Sequence, residues 1–327
     1  MDLKTGLLLL SCLSKDNPAM NLVLDEIKKI NAFIRKPVEF FSEPLSRTEK
    51  IRIFFVALLY KTLVIGLILA LLYVIDKYLL ALRQPLLNMR LWTLLLYAVI
   101  IAPLLEELIF RLPLRYQQNW LWRKVEHLFR LEPGVFWTRN YRYILYTSVL
   151  LFGIIHLANY SNTEFFFFLI APLVVGSQLF GGLILSYTRL KLGFWWSVAK
   201  HSLWNGLVIL LSLAFFHDKE IARITEQDLT LSLHELSYLD RKAQSFKISR
   251  LENGLIDFLE VSNNSVQQLI DSLYRDDQLE VLNDSWISLK LLAPAGFDQQ
   301  ALLGVLKEQY RMESTENRLS QSSGLKR

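Results

Sequence analysis

Five stretches between residues 51 and 216 are apolar enough to cross a lipid bilayer, and no other feature constrains the fold of this chain as strongly. A span needs about 20 mostly apolar residues to cover ~30 Å of hydrocarbon. Ile51–Ile75, Leu91–Leu112, Tyr143–Tyr160, Phe165–Tyr187 and Phe194–Phe216 qualify. Backbone groups in lipid find no water, so such runs must satisfy themselves as helices. Of the 327 residues 52% are hydrophobic and the mean hydropathy is +0.28, yet 20% are charged. The charge must then be segregated, and it falls in the loops and the C-terminal part. The expected fold is an all-α polytopic membrane helix bundle of about five to six spans with a small C-terminal α+β soluble domain. The expected boundaries are 1–50 for an amphipathic N-terminal region, 51–216 for the transmembrane domain, 217–312 for the soluble domain and 313–327 for a disordered tail.

The formal charge of +5 does not point to nucleic acid, because the basic residues flank the apolar runs. Such flanking charge sets membrane orientation. Lys28, Lys29, Arg35, Lys36, Arg47, Lys50 and Arg52 precede the first span, and Arg123, Lys124, Arg130, Arg139 and Arg142 follow the second. The positive-inside rule puts the N-terminus and the 117–142 loop in the cytoplasm. Five spans carry the C-terminal part to the other side, and a re-entrant helix would reverse that. Trp120, Trp122, Trp137, Trp195 and Trp196 lie near span ends as aromatic-belt residues do. "NWLWRKVEHLFRL" has helical periodicity suited to the interface. The single cysteine, Cys12, excludes an internal disulfide and a Cys-rich metal site. "LLLLSC" only faintly resembles a lipoprotein box, and an amphipathic segment running into "NLVLDEIKKINAFI" is the favoured reading.

From about His217 the pattern changes. "DLTLSLHELSYL" and "QSFKISR" alternate with period two, as half-buried strands do. "GLIDFLEV" leads into a capped helix in "SNNSVQQLIDSLYR", and "SWISLKLL" followed by "FDQQALLGVLKEQYR" repeats the order. No catalytic cluster shows there.

The chemistry lies in the apolar part. "APLLEELIFRLPLR" carries Glu106, Glu107 and Arg111 directly after a run oily enough for lipid. Each charge costs several kcal/mol at bilayer depth unless it is paired or used. Glu107 and Arg111 stand four apart on one helix face and can pair, while Glu106 points about 100° away and is left for chemistry. Pro103, one turn earlier, lacks an N–H and can kink the helix. "LFGIIHLANY" sets His156 deep in the third span with Phe152 one turn before it. "KHSLWNG" sets His201 and Asn205 four apart on the fifth. A lone histidine in a membrane helix is ordinarily a helix–helix hydrogen bond. Polar groups on three spans at comparable depth point instead to a shared site. His127, His217 and His234 lie outside the spans.

E-E-x-x-x-R in "EELIFR", F-x-x-x-H in "FGIIH" and H-x-x-x-N in "HSLWN", in that order, resemble the CPBP family of intramembrane proteases. That family takes in the CAAX-box prenyl endopeptidases and the Abi-type bacteriocin-processing and immunity proteins. The resemblance covers roughly residues 91–216; the long gap from Glu106 to His156 is a departure that leaves the motifs intact. It implies an intramembrane endopeptidase in which Glu106 and His156 activate water while His201 and Asn205 hold the oxyanion. Glu107, Arg111 and Phe152 support them, although Glu107 could share the catalytic work. The substrate class is a membrane-associated, prenylated or leader peptide. The implied setting is a multi-pass protein of a prokaryotic inner membrane, with membrane lipid and a protein or peptide substrate as partners and no nucleic acid. No cofactor is expected, with zinc on Glu106, His156 and His201 the competing chemistry, because two histidines and a glutamate also make a catalytic zinc set. The spans contain no cysteine, and "YTSVL" and "WSVAKHS" give no recognisable Ser–Lys or Ser–His–Asp arrangement. The alternatives are a non-proteolytic scaffold or immunity factor with the same fold, and an ion-coupled transporter, for which no internal repeat is found.

Overall fold

A computed structural model describes residues 18–39, 44–86, 88–239, 243–275 and 278–314. Cys12, the leader-like "LLLLSC" and the tail beyond Ser314 lie outside the described residues. The chain divides into two compact units. One takes in the described residues up to Ile75 together with Ala98–Ala158 and Thr163–Asn205. The other takes in Asp76–Tyr97, Asn159–Asn162 and the residues from Gly206 on.

The first unit is built on helices, and five stretches are long and apolar enough to span a bilayer: Arg47–Tyr78, Leu91–Leu114, Val135–Asn159, Phe165–Leu192 and Phe194–Phe216. Ahead of them α1 (Pro18–Arg35) is amphipathic. It buries Ile30 and Phe33 and exposes Lys28, and its buried Glu26 accepts a 2.6 Å hydrogen bond from Tyr187. The first span is one continuous helix, α2 (Arg47–Tyr78).

The second span changes register along its length. A short α3 (Leu91–Leu95) widens into a π-helical turn over Leu96–Ile101 before α4 (Ala102–Phe110) resumes the ordinary ladder. Pro103 accounts for the widening. It has no N–H to give the preceding turn and its ring crowds the carbonyl four residues back. In the i to i+5 register of such a turn the carbonyl of Ala98 would be served by residue 103, which has no proton to offer. Asn205 donates its side-chain amide to that carbonyl instead, at 2.8 Å.

The stretch between the second and third spans is shorter than expected. Within it α5 (Trp120–Leu128) is capped by Asn119, whose side chain accepts from Trp122 N at 2.9 Å. Buried Glu126 gathers the connection, accepting from Tyr116 Oη at 2.6 Å, Trp122 Nε1 at 2.8 Å and Gly134 N at 3.1 Å. The third span, α6 (Val135–Ile155), begins eight residues before Tyr143. Basic Arg139 and Arg142 hid this start, yet both lie on its exposed face. Trp137 is therefore a core residue and not part of an aromatic belt. It is 2% exposed, packs on Tyr116 and Tyr141, and donates Nε1 to Glu39 at 2.6 Å.

The fourth span is broken at Val175 into α7 (Phe165–Val174) and α8 (Gly176–Leu192), with Pro172 inside the first piece. It continues past the expected end at Tyr187 to Leu192, so "RLKL", between the two expected spans, is helix. Arg189 is 2% exposed and donates Nε to the carbonyl of Arg111 at 3.2 Å. Gly193, at φ +108°, supplies the left-handed turn into α9 (Phe194–Phe216), a conformation that side-chain-bearing residues resist.

The second unit contains a five-stranded sheet of order β1-β2-β6-β4-β3, antiparallel throughout. Its strands are β1 (Lys219–Glu226), β2 (Leu229–Leu236), β3 (Ser245–Arg250), β4 (Ile256–Ser265) and, after the short β5 (Leu279–Val281), β6 (Trp286–Phe297). Period two puts Leu231, Leu233, Leu259, Val261, Ile287, Leu289 and Leu291 on one buried face. There they meet α10 (Val266–Leu273) and α11 (Gln299–Gln309) through Leu269, Ile270, Leu302 and Leu306. Ser265 and Gln268 form a reciprocal capping box at the start of α10. β7 (Met312–Ser314) pairs with β5, so Glu313 and Ser314 belong to a strand and not to the expected tail.

Candidate active site

Three spans deliver polar side chains to one cavity of about 190 Å³ in the first unit. Glu106 from α4, His156 from the end of α6, and His201 and Asn205 from α9 all line it, together with Phe152. The helical spacing read from "EELIFR" governs what each glutamate does. Glu107 is fully buried, and its Oε1 lies 3.7 Å from Arg111 Nε and 3.1 Å from His201 Nδ1. Its Oε2 accepts a 2.5 Å hydrogen bond from Ser197 Oγ. Glu106, a third of a turn round, keeps 27% of its side chain exposed. Its Oε2 is buried, accepts no hydrogen bond among the described residues, and lies 3.5 Å from His201 Nε2. His201 thus stands between the two carboxylates, one ring nitrogen to each.

Arg111 is 1% exposed. Its guanidinium carbon sits 3.8 Å from the centroid of Phe152, a distance at which a desolvated cation–π contact is worth about 2 kcal/mol. Phe152 also meets His156 edge-on at 4.6 Å and Phe110 at 5.4 Å. It is the apolar wall between the arginine and the histidines. Nη1 and Nη2 of Arg111 have no acceptor among the described residues. Gly182 lies against the same group: a Cβ there would be 3.2 Å from Nη2.

His156 is the C-cap of α6, and its Nδ1 lies 2.6 Å from the carbonyl of Phe152. A carbonyl can only accept, so Nδ1 carries the proton and Nε2 keeps its lone pair in the neutral ring. Asn205 gives one amide hydrogen to Ala98 and retains a second. The bond fixes the amide orientation, and the π turn created by Pro103 is what makes it available.

Several neighbours were not singled out from the sequence. Ser197 stands four residues before His201 on the same face of α9, and that spacing was the available signal. Lys61, Ser177, Gln178, Gly181 and Trp204 also line the cavity. Lys200, next to His201 in sequence, is fully buried but donates to Thr188 Oγ1 at 2.8 Å. Among the described residues no three His, Cys, Asp or Glu side chains are grouped as metal ligands. In the candidate zinc set the two histidines direct Nδ1 elsewhere, to the Phe152 carbonyl and to Glu107.

These features define a polytopic membrane bundle with a cavity lined by charged and polar side chains from several of its helices. Residues 88–207 match the family model described as Type II CAAX prenyl endopeptidase Rce1-like, and the three motifs lie within or at the edge of that stretch. The match supports a multi-pass integral membrane protein with intramembrane endopeptidase activity. No curated protein and no solved structure matches the chain.

Proposed function

We propose that this cavity hydrolyses a peptide bond in a membrane-associated substrate, a prenylated CAAX peptide being the class favoured by the family match. The observation that carries the reading is the bridging His201: Glu107 anchors one ring nitrogen while the other faces the under-bonded carboxylate of Glu106. The two adjacent glutamates therefore serve opposite purposes. Glu107, with both oxygens engaged, orients His201 and neutralises Arg111. Glu106, facing the cavity, is the base.

A water held between Glu106 and Nε2 of His156 passes a proton to the carboxylate as its oxygen bonds to the scissile carbonyl carbon. The electron pair of that carbonyl moves to its oxygen. The free amide hydrogen of Asn205 and a ring N–H of His201 donate to the resulting oxyanion, where preorganised donors are most effective. When the intermediate collapses, the C–N bond breaks and Glu106 gives the proton to the departing amine. Atoms and charge balance with water as the only co-reactant.

Purified protein in liposomes, given a prenylated CAAX peptide and a leader peptide, tests this by mass spectrometry of the products. Cleavage at one bond that His156→Ala abolishes supports the reading. Absence of cleavage of either peptide favours a non-proteolytic scaffold. Exhaustive chelation supplies a further arm: complete loss restored by zinc would overturn direct glutamate catalysis.

A further inference from the structure

Resting on the peptidase reading above, we propose that Lys61 and Gln178 form an anion subsite in the same cavity that takes the free C-terminal carboxylate of the substrate. Lys61 lies within the first span, where a lysine would normally extend its ammonium to the bilayer surface. Here it is 3% exposed and lines the cavity. Its Nζ lies 4.4 Å from the ring centroid of Trp204 and forms no ion pair or hydrogen bond among the described residues. Gly181 makes the space for it: a Cβ there would lie 3.3 Å from Lys61 Cε and 3.6 Å from Nζ.

Gln178 stands three residues before Gly181 on the same helix face and also lines the cavity. Ser177 Oγ donates to its Oε1 at 2.8 Å, which turns the amide so that both Nε2 hydrogens remain free. The amine of Lys61 and the amide of Gln178, neither of them paired with an acid among the described residues, offer N–H donors to the cavity. Charging a buried amine is costly until an anion meets it. The one anion that every peptide with a free end carries is its terminal carboxylate. Engaging that group beside Glu106 would restrict cleavage to bonds near the C-terminus, because a cavity of about 190 Å³ admits only a short length of chain.

The test compares one prenylated CAAX peptide as the free acid and as the C-terminal amide. The wild-type protein should cleave the acid with a kcat/KM about 10- to 100-fold higher, as for a hydrogen bond to a charged group. Lys61→Met should bring the acid-to-amide ratio close to one, Gln178→Leu should lower it in part, and Lys61→Arg should restore much of it. Lys200→Met, at a buried lysine outside the cavity, should leave the ratio unchanged. A wild-type ratio near one overturns the subsite while the peptidase reading stands. If neither form is cleaved, the prenylated CAAX peptide is not the substrate, and equilibrium binding of the two peptides decides the subsite alone. Tighter binding of the acid that depends on Lys61 supports it; equal or absent binding overturns it.

Discussion

Replacing Glu107 with alanine should destabilise the membrane unit far more than it perturbs any single contact. Glu107 is the only carboxylate within 4.0 Å of Arg111 among the described residues, at 3.7 Å, and both side chains are almost wholly buried. At that separation the gross attraction is about 4 kcal/mol for an effective dielectric near 20. Removing one partner of a buried pair costs about 3–5 kcal/mol, because the other charge is left uncompensated. Arg111 has little to fall back on, since its Nη1 and Nη2 already lack acceptors. Ser197 and His201 lose their acceptor as well. With about 2–4 °C of melting shift per kcal/mol for a unit of this size, the midpoint in detergent should fall by roughly 6–20 °C. Adding Arg111→Met should recover much of the loss, because an apolar replacement of a whole buried pair is often near neutral. A Glu107→Ala midpoint within about 2 °C of wild type would refute the reasoning, and so would a double variant less stable than the single one.

Two further outcomes follow from the same structure. Asn205→Ala should lower kcat by about 10²–10³, the usual loss for one oxyanion donor, in a liposome cleavage assay with comparable amounts of folded protein. In the C-terminal unit burial raises the Asp284 carboxyl above its ordinary range, against backbone N–H donation from Gln267 and Ser285. A folded pKa above the unfolded one gives stability that is complete below the unfolded value and is lost as pH rises through the folded one. Hydrogen-exchange protection of Val266–Leu273 should thus decline with rising pH across that window, and Asp284→Asn should flatten the decline.

The bundle was legible because lipid imposes a single rule on long apolar runs, and all five spans occupy the expected regions. Their ends were less so. Arg139 and Arg142 read as loop but sit on a helix, and "RLKL" read as loop because nothing local reveals that Arg189 reaches the carbonyl of Arg111. In the C-terminal part, alternation exposed β2 and β3, whereas "KEIARITE" is too polar for its strand to show. Within the site, helical spacing anticipated both the Glu107–Arg111 contact and the separate direction of Glu106. It could not anticipate that His201 lies between the two carboxylates, because that depends on how α9 packs against α4. The ties from Ser197 to Glu107 and from Asn205 to Ala98 were hidden for the same reason. Lys61 was passed over because a single lysine in an apolar run gives no sign of which way it points.

The central claim is that Glu106 activates the water. It is tested most directly by the single-turnover cleavage rate of Glu106→Gln on a prenylated CAAX peptide in liposomes, set beside its melting midpoint. The claim predicts a rate at least about 100-fold below wild type, as for loss of a general base, with the midpoint essentially unchanged. A variant that cleaves at the wild-type rate would contradict it.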